Sequence, residues 1–145
     1  MAILLDTSAL IVLLRRAAPA RTRVVAGAAR QALEEGRALI SAVSAAELFV
    51  GARGAPGEAH VRRLTAVLPV IAADRDIAAE AGSMGAYARA RGARIPLPDL
   101  LIAATALALE LPLLTCDADF HRGLELGGPR WGRLRLHEAS VVTKV

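Results

Sequence analysis

Short apolar runs of strand length alternate along this chain with stretches whose apolar residues recur at helical spacing. That alternation is the pattern of an α/β domain in which strands pair in parallel and helices cover the sheet. The spacing predicts strands over 2–5, 38–41, 69–71 and 113–115, with 134–136 as a last, edge strand. Helices are expected over 8–16, from Pro19 to about 35, and over 44–52, 58–66, 74–91 and 99–109, with a helical turn over 117–122. Gly36 and Gly92 supply two of the stops, and the Gly54-Ala55-Pro56-Gly57 stretch reads as a loop. No internal repeat or low-complexity segment interrupts the pattern, and 145 residues are expected to form a single domain, 1–145.

Four of the junctions carry an acid. Leu4-Leu5-Asp6-Thr7-Ser8, Ser44-Ala45-Ala46-Glu47-Leu48, Pro96-Leu97-Pro98-Asp99-Leu100 and Leu114-Thr115-Cys116-Asp117 each place a carboxylate where an apolar segment meets a helix. In an open parallel sheet the carboxyl ends of the strands line one edge, so these acids are expected to converge there. Taken singly, each has a local explanation. Asp6 can cap the helix after it, Ser44 with Glu47 has the form of a capping box, and Asp99 and Asp117 suit helix N-termini. Such roles contribute only about 0.3–2 kcal/mol each. Taken together the acids need a counter-ion, because two unit charges about 4 Å apart repel by roughly 4 kcal/mol at an effective dielectric of 20. Oxygen-only ligands select a hard divalent cation, Mg²⁺ or Mn²⁺. Zinc is disfavoured, since His60, His121 and His137 lack its ligand spacing.

Charge and composition narrow the partners. The net charge is +4 with a pI near 10.5, and Lys144 is the sole lysine, so the basic balance comes from arginine. Arg15, Arg16, Arg21 and Arg23 cluster early, and Arg62, Arg63, Arg89, Arg91 and Arg94 follow. Guanidinium forks suit phosphates, which leaves two readings open: a polyanion-binding surface, or solvated helix faces. The longest apolar stretch, 100–109, lies between Asp99 and Glu110 and is too short for a membrane span. The start of the chain has no basic segment of the secretory kind, and a lone Cys116 cannot form a bridge within the chain. Both point to a cytoplasmic protein with no membrane partner.

With the motifs in place, the chain resembles the PIN-domain ribonucleases, and among them the VapC toxins of bacterial toxin–antitoxin pairs. The resemblance spans nearly the whole sequence. It runs through Leu4-Leu5-Asp6-Thr7-Ser8-Ala9-Leu10, then Ser41-Ala42-Val43-Ser44-Ala45-Ala46-Glu47-Leu48, then 95–107 around Asp99 and 111–120 around Asp117. It implies an α/β/α sandwich around a parallel sheet, a Mg²⁺- or Mn²⁺-dependent endoribonuclease, a VapB-like antitoxin partner and a homodimer. By motif matching Asp6, Glu47, Asp99 and Asp117 take the acidic positions, both catalytic and metal-binding. Asp119, two residues on, ranks below them: it can share the metal, orient a ligand or only cap the turn before Phe120. The mechanism so implied is attack by a metal-activated water on an RNA phosphodiester, leaving a 5′-phosphate and a 3′-hydroxyl. Thr7, Ser8 and Thr115 are candidates to orient the carboxylates, with helix capping as the alternative. The 17–32 stretch offers an apolar face either to an antitoxin helix or to the sheet beneath it.

Rival readings are weaker. Asp117-Ala118-Asp119 has the form of a phosphatase nucleophile motif, but only a short tail follows it. Cys116 with His121 lacks an orienting partner for a thiol nucleophile, and Trp131 and Tyr87 are too few for a base-stacking platform. A receiver-like signalling domain would want a lysine beside its acids, and Lys144 is badly placed. A non-catalytic RNA-binding module, in which the arginines act and the acids only fold the chain, is the remaining alternative.

Overall fold

The computed structural model describes residues 1–141; Lys144, and with it the receiver-domain argument, lies outside them. Strand β1 (Ile3–Leu5) leads into α1 (Thr7–Leu14), a 3-10 turn (Ala20–Thr22) and α2 (Arg23–Glu34). β2 (Ala38–Ser41), α3 (Ala42–Gly51), α4 (Gly54–Val67), β3 (Val70–Ile71) and α5 (Arg75–Ala90) follow. The chain continues with α6 (Leu97–Leu109), β4 (Leu113–Leu114), α7 (Ala118–Leu126) and α8 (Gly128–Trp131).

The four strands form one sheet in the order β3-β2-β1-β4, and every pairing is parallel. Side chains alternate across it because a strand has a period of two. Ile3, Leu5, Ala38, Ile40 and Leu114 face one core with Ala9, Val25, Ala29 and Leu48. Leu4 and Leu113 face a second core with Ile77, Met84, Ile102, Phe120 and Trp131. Two cores on two faces make the expected α/β/α sandwich. A sheet covered on both sides explains why the strands read as continuous apolar runs and not as alternating ones.

The helices mostly lie where their periodicity puts them. Gly36, at φ +68°, ends α2 and lets Arg37 N–H reach the Ala32 carbonyl at 2.8 Å. In α2 the residues Val25, Ala26, Ala29 and Ala32 are buried, so this apolar face covers the sheet, and among its large apolar residues Val24 is the exposed one.

Three local expectations are corrected. The capping box at Ser44 and Glu47 does not form: α3 begins earlier, at Ala42, and Ser41 caps it by accepting from Val43 N–H at 3.0 Å. The loop expected at 54–57 is the first turn of α4, where Pro56 needs no N–H partner. The edge strand at 134–136 reduces to a single bridge between Leu113 and Leu136. Two features stop that ladder: Leu111 N–H is taken by the Ala106 carbonyl at 3.0 Å, and Thr115 N–H by Ser140 Oγ at 3.2 Å.

At the far end of the second core Gly123 lies against Trp131, whose indole N–H donates to the Met84 carbonyl at 3.2 Å. A Cβ on residue 123 would come within 2.2 Å of the fully buried indole. Gly123→Ala is therefore expected to lower stability by about 1–3 kcal/mol through overpacking, read as a lower urea midpoint. An unchanged midpoint would show that the indole has room to shift.

Candidate functional site

The acids meet because of how each element ends. β1 stops at Leu5, so Asp6 emerges at the carboxyl edge of the sheet and caps α1, its Oδ1 accepting from Ala9 N–H at 2.8 Å. β4 stops at Leu114, and Asp117 caps α7 by accepting from Asp119 N–H at 2.9 Å. Asp99 enters from the first turn of α6, behind the helix-opening Pro98. Glu47 projects from the second turn of α3. The capping roles of Asp6 and Asp117 are thus real, and they coexist with convergence.

Asp99, Asp117 and Asp119 each offer a carboxylate oxygen within 4.8 Å of the other two. Asp119 is also paired with Arg122, Nη2 to Oδ1 at 2.7 Å, and the same guanidinium donates to the Arg94 carbonyl at 2.6 Å. Asp6 is not among these three but is close enough to be coupled electrostatically to Asp99 and Asp117. Glu47 stands outside the trio and is exposed; it is joined to the Asp6 side through Thr7, whose Oγ1 donates to Glu47 Oε1 at 2.6 Å. Thr7 Oγ1 also lies 3.1 Å from the buried Ser44 Oγ.

Asp6 is 2% exposed and is held by two hydroxyls. Ser8 Oγ donates to its Oδ1 at 2.7 Å, and Thr115 Oγ1 donates to its Oδ2 at 2.5 Å. Each hydroxyl is itself fixed by a backbone donor, Ser8 by Cys116 N–H at 2.9 Å and Thr115 by Asp117 N–H at 2.8 Å. A hydroxyl that receives one bond must spend its proton on the next acceptor, so the carboxylate's orientation is fixed from both sides. Ser8, Thr115 and Thr7 therefore orient acids, as anticipated. Two partners had not been anticipated. Arg122 stands three residues after Asp119, a spacing that places them on one helical face, whereas no local pattern marks Ser140.

Burial raises the Asp6 carboxyl from the ordinary 3.8 to about 6, against the lowering effect of its hydrogen bonds to Thr115, Ala9 and Ser8. Asp99 is raised further, to about 8, by burial first and then by the charge of Asp117, a proton-sharing contact with Asp119, and the charges of Asp119 and Asp6. Carboxylates that hold protons this tightly for want of a counter-charge, in an all-oxygen donor set, fit a hard divalent cation. Cys116 does not fit a nucleophile's role: it is 3% exposed, and burial pushes its thiol up to about 11.

A parallel α/β/α sandwich with acids at its carboxyl edge is the architecture that the motifs suggested. The chain belongs to the PIN domain family, whose model matches residues 3–123. It is 42% identical over 115 residues to Ribonuclease VapC10 of Mycobacterium tuberculosis, a match covering 79% of this chain and 82% of that protein. The toxin–antitoxin complex from Klebsiella pneumoniae contains a chain 29% identical to it, with a TM-score of 0.64 over 82% of this chain and 90% of that one. The FitAcB structure from Neisseria gonorrhoeae shares the fold at 24% identity and a TM-score of 0.71, covering 94% of this chain and 97% of that one. Among the described residues no helix is long and apolar enough to cross a membrane.

Raised carboxyl values carry a stability consequence. Between the ordinary carboxylate range and about 8 the folded chain binds more protons than the unfolded chain, so its stability falls as pH rises through that window. In EDTA the melting temperature is expected to decline from pH 4 toward pH 8, more shallowly in Asp99→Asn. Adding Mn²⁺ at pH 8 restores it in wild type. A melting temperature that is flat with pH and indifferent to Mn²⁺ would contradict the electrostatics described above.

Proposed function

We propose that this chain is a Mg²⁺- or Mn²⁺-dependent endoribonuclease and the toxin of a VapBC-type toxin–antitoxin pair. The observation that carries the reading is the convergence of Asp99, Asp117 and Asp119 beside the hydroxyl-braced Asp6. The kinship to a VapC ribonuclease and to a chain of a toxin–antitoxin complex supports the substrate and the partner class.

Asp99, Asp117 and Asp119 would hold the cation, with Asp6 and Glu47 at its margin. When bound, the ion supplies positive charge that acidifies water and offsets the charge on the phosphodiester. The chain's own residues do the rest. Ser8 and Thr115 keep both Asp6 oxygens aimed, and Thr7 does the same for Glu47 Oε1. Holding the cation would require Asp99 to be ionised, so activity is expected to rise with pH where Asp99 titrates. Arg122 holds Asp119 against Arg94 O and limits its movement. In this reading the attacking group is water and not the RNA's own 2′-hydroxyl, so the expected products are a 5′-phosphate and a 3′-hydroxyl. A VapB-like antitoxin and a homodimeric state belong to the same reading.

The test is cleavage of RNA by wild type, Asp6→Asn, Asp99→Asn and Thr115→Val, with Mg²⁺, with Mn²⁺ and with EDTA. Thr115→Val is expected to lose about 10–100-fold, the usual cost of removing a group that orients a ligand, and both aspartate variants more than that. EDTA abolishes the wild-type activity. Equal cleavage in every tube would sink the proposal, whereas salt-sensitive RNA binding without cleavage, unchanged by metal, would select the non-catalytic RNA-binding module.

A further inference from the structure

A cluster of carboxylates repels a polyanion wherever its charge is not offset, so fixed cations beside the centre add affinity for RNA. Beside the acids, between α1 and the 3-10 turn, lies a cavity of about 280 Å³ whose lining includes Ser8, Ile11, Arg15, Arg21, Thr22 and Cys116. We propose that this cavity is a subsite for a backbone phosphate of single-stranded RNA flanking the scissile bond, gripped by Arg15 and Arg21. The proposal rests on the nuclease reading and assigns a part of the substrate to a place that the acids do not reach.

The cavity and the acidic centre share a wall. Ser8 Oγ donates to Asp6 on one side and accepts from the Cys116 backbone on the other, and both residues line the cavity. Ser8 and Ile11 share one face of α1, and Arg15, the residue that caps its C-terminus, continues that spacing. At 1.5 Å per residue Arg15 stands about 10 Å from Ser8 along the axis, so a strand laid along this face meets the acids at one end and the guanidinium at the other.

Arg21 is presented by a fixed turn. Thr22 is buried, and its N–H and Oγ1 both donate to the Pro19 carbonyl, at 2.9 and 3.1 Å. Among the described residues Arg15 is in no salt bridge. Its charge does reach the Cys116 thiol. Two planar forks around a small cavity suit a phosphate oxyanion, which guanidinium binds bidentately. An acidic peptide offers the same oxyanion chemistry, but only a nucleic acid gains by lying across the cation-loaded carboxylates next door.

The deciding experiment measures binding and cleavage of one defined RNA oligonucleotide by Arg15→Gln, Arg21→Gln and the double variant, with Arg75→Gln on α5 as a distant charge control. Binding is read in an Asp6→Asn background, where cleavage is blocked. Each single variant is expected to weaken binding about tenfold and to lower the slope of log affinity against log salt by about 0.7. In the active background KM rises while kcat stays within about twofold, since the arginines touch no reacting atom. Replacing one phosphate at a time by a neutral methylphosphonate finds a position that costs wild type affinity and costs the double variant nothing more. Wild-type affinity and salt slope in the variants overturn the subsite, as does an equal loss in Arg75→Gln, which would mean a diffuse field. If no RNA is cleaved by wild type with either metal, the nuclease reading fails, while the binding arm still decides the subsite.

Discussion

Strand β1 is hydrogen-bonded on both sides, to β2 and to β4, and the remainder of the molecule takes its bearings from that strand. Leu4 and Leu5 are fully buried against opposite cores, so a one-residue slip would exchange the faces of the sheet and is strongly opposed. With register pinned there, the chain has a single place to bring Asp6 out. The same pairing aligns the exit of β2 toward α3 and of β4 toward Thr115 and Asp117. The placement of Asp6 and Asp117 is thus a consequence of sheet register, and the packing of α6 adds Asp99.

What the fold gathers, electrostatics resists. Asp6 and Asp99 hold protons far above the ordinary carboxylate range because burial and neighbouring like charges penalise ionisation. Two answers to that resistance are built into the chain. Hydroxyls of Ser8 and Thr115 satisfy Asp6, and Arg122 satisfies Asp119 from outside the trio. The penalty left over falls on Asp99. Perturbed carboxyls of this kind are more frequent at working sites than elsewhere.

Much of this was legible in the residues. The strand runs at 38–41 and 2–5, the Gly36 stop, the apolar wrap of 100–109 and the junction positions of Asp6, Asp99 and Asp117 appear in the structure, because each depends on local pattern or on the period of one element; Glu47 instead lies in the second turn of α3. The failures have a common origin in competition between neighbours. Ser44 and Glu47 match a capping box by spacing, yet Ser41, three residues earlier, takes the cap, and Thr7 from a distant segment claims Glu47. The edge strand at 134–136 has the right composition but loses its partners to the Ala106 carbonyl and Ser140. Asp119 shows the limit in the candidate site: sequence spacing places it near Asp117, but only the approach of α6 decides that it also stands beside Asp99.

The last described segment is not a passive tail. Ser140 Oγ accepts from Thr115 N–H and donates to the Leu113 carbonyl, and Val141 N–H reaches the Thr115 carbonyl. Thr115 is in turn one of the two hydroxyls aiming Asp6. Ser140 and Val141 therefore act as a clasp on the end of β4, and a displacement of these two residues is transmitted to Asp6 through one threonine.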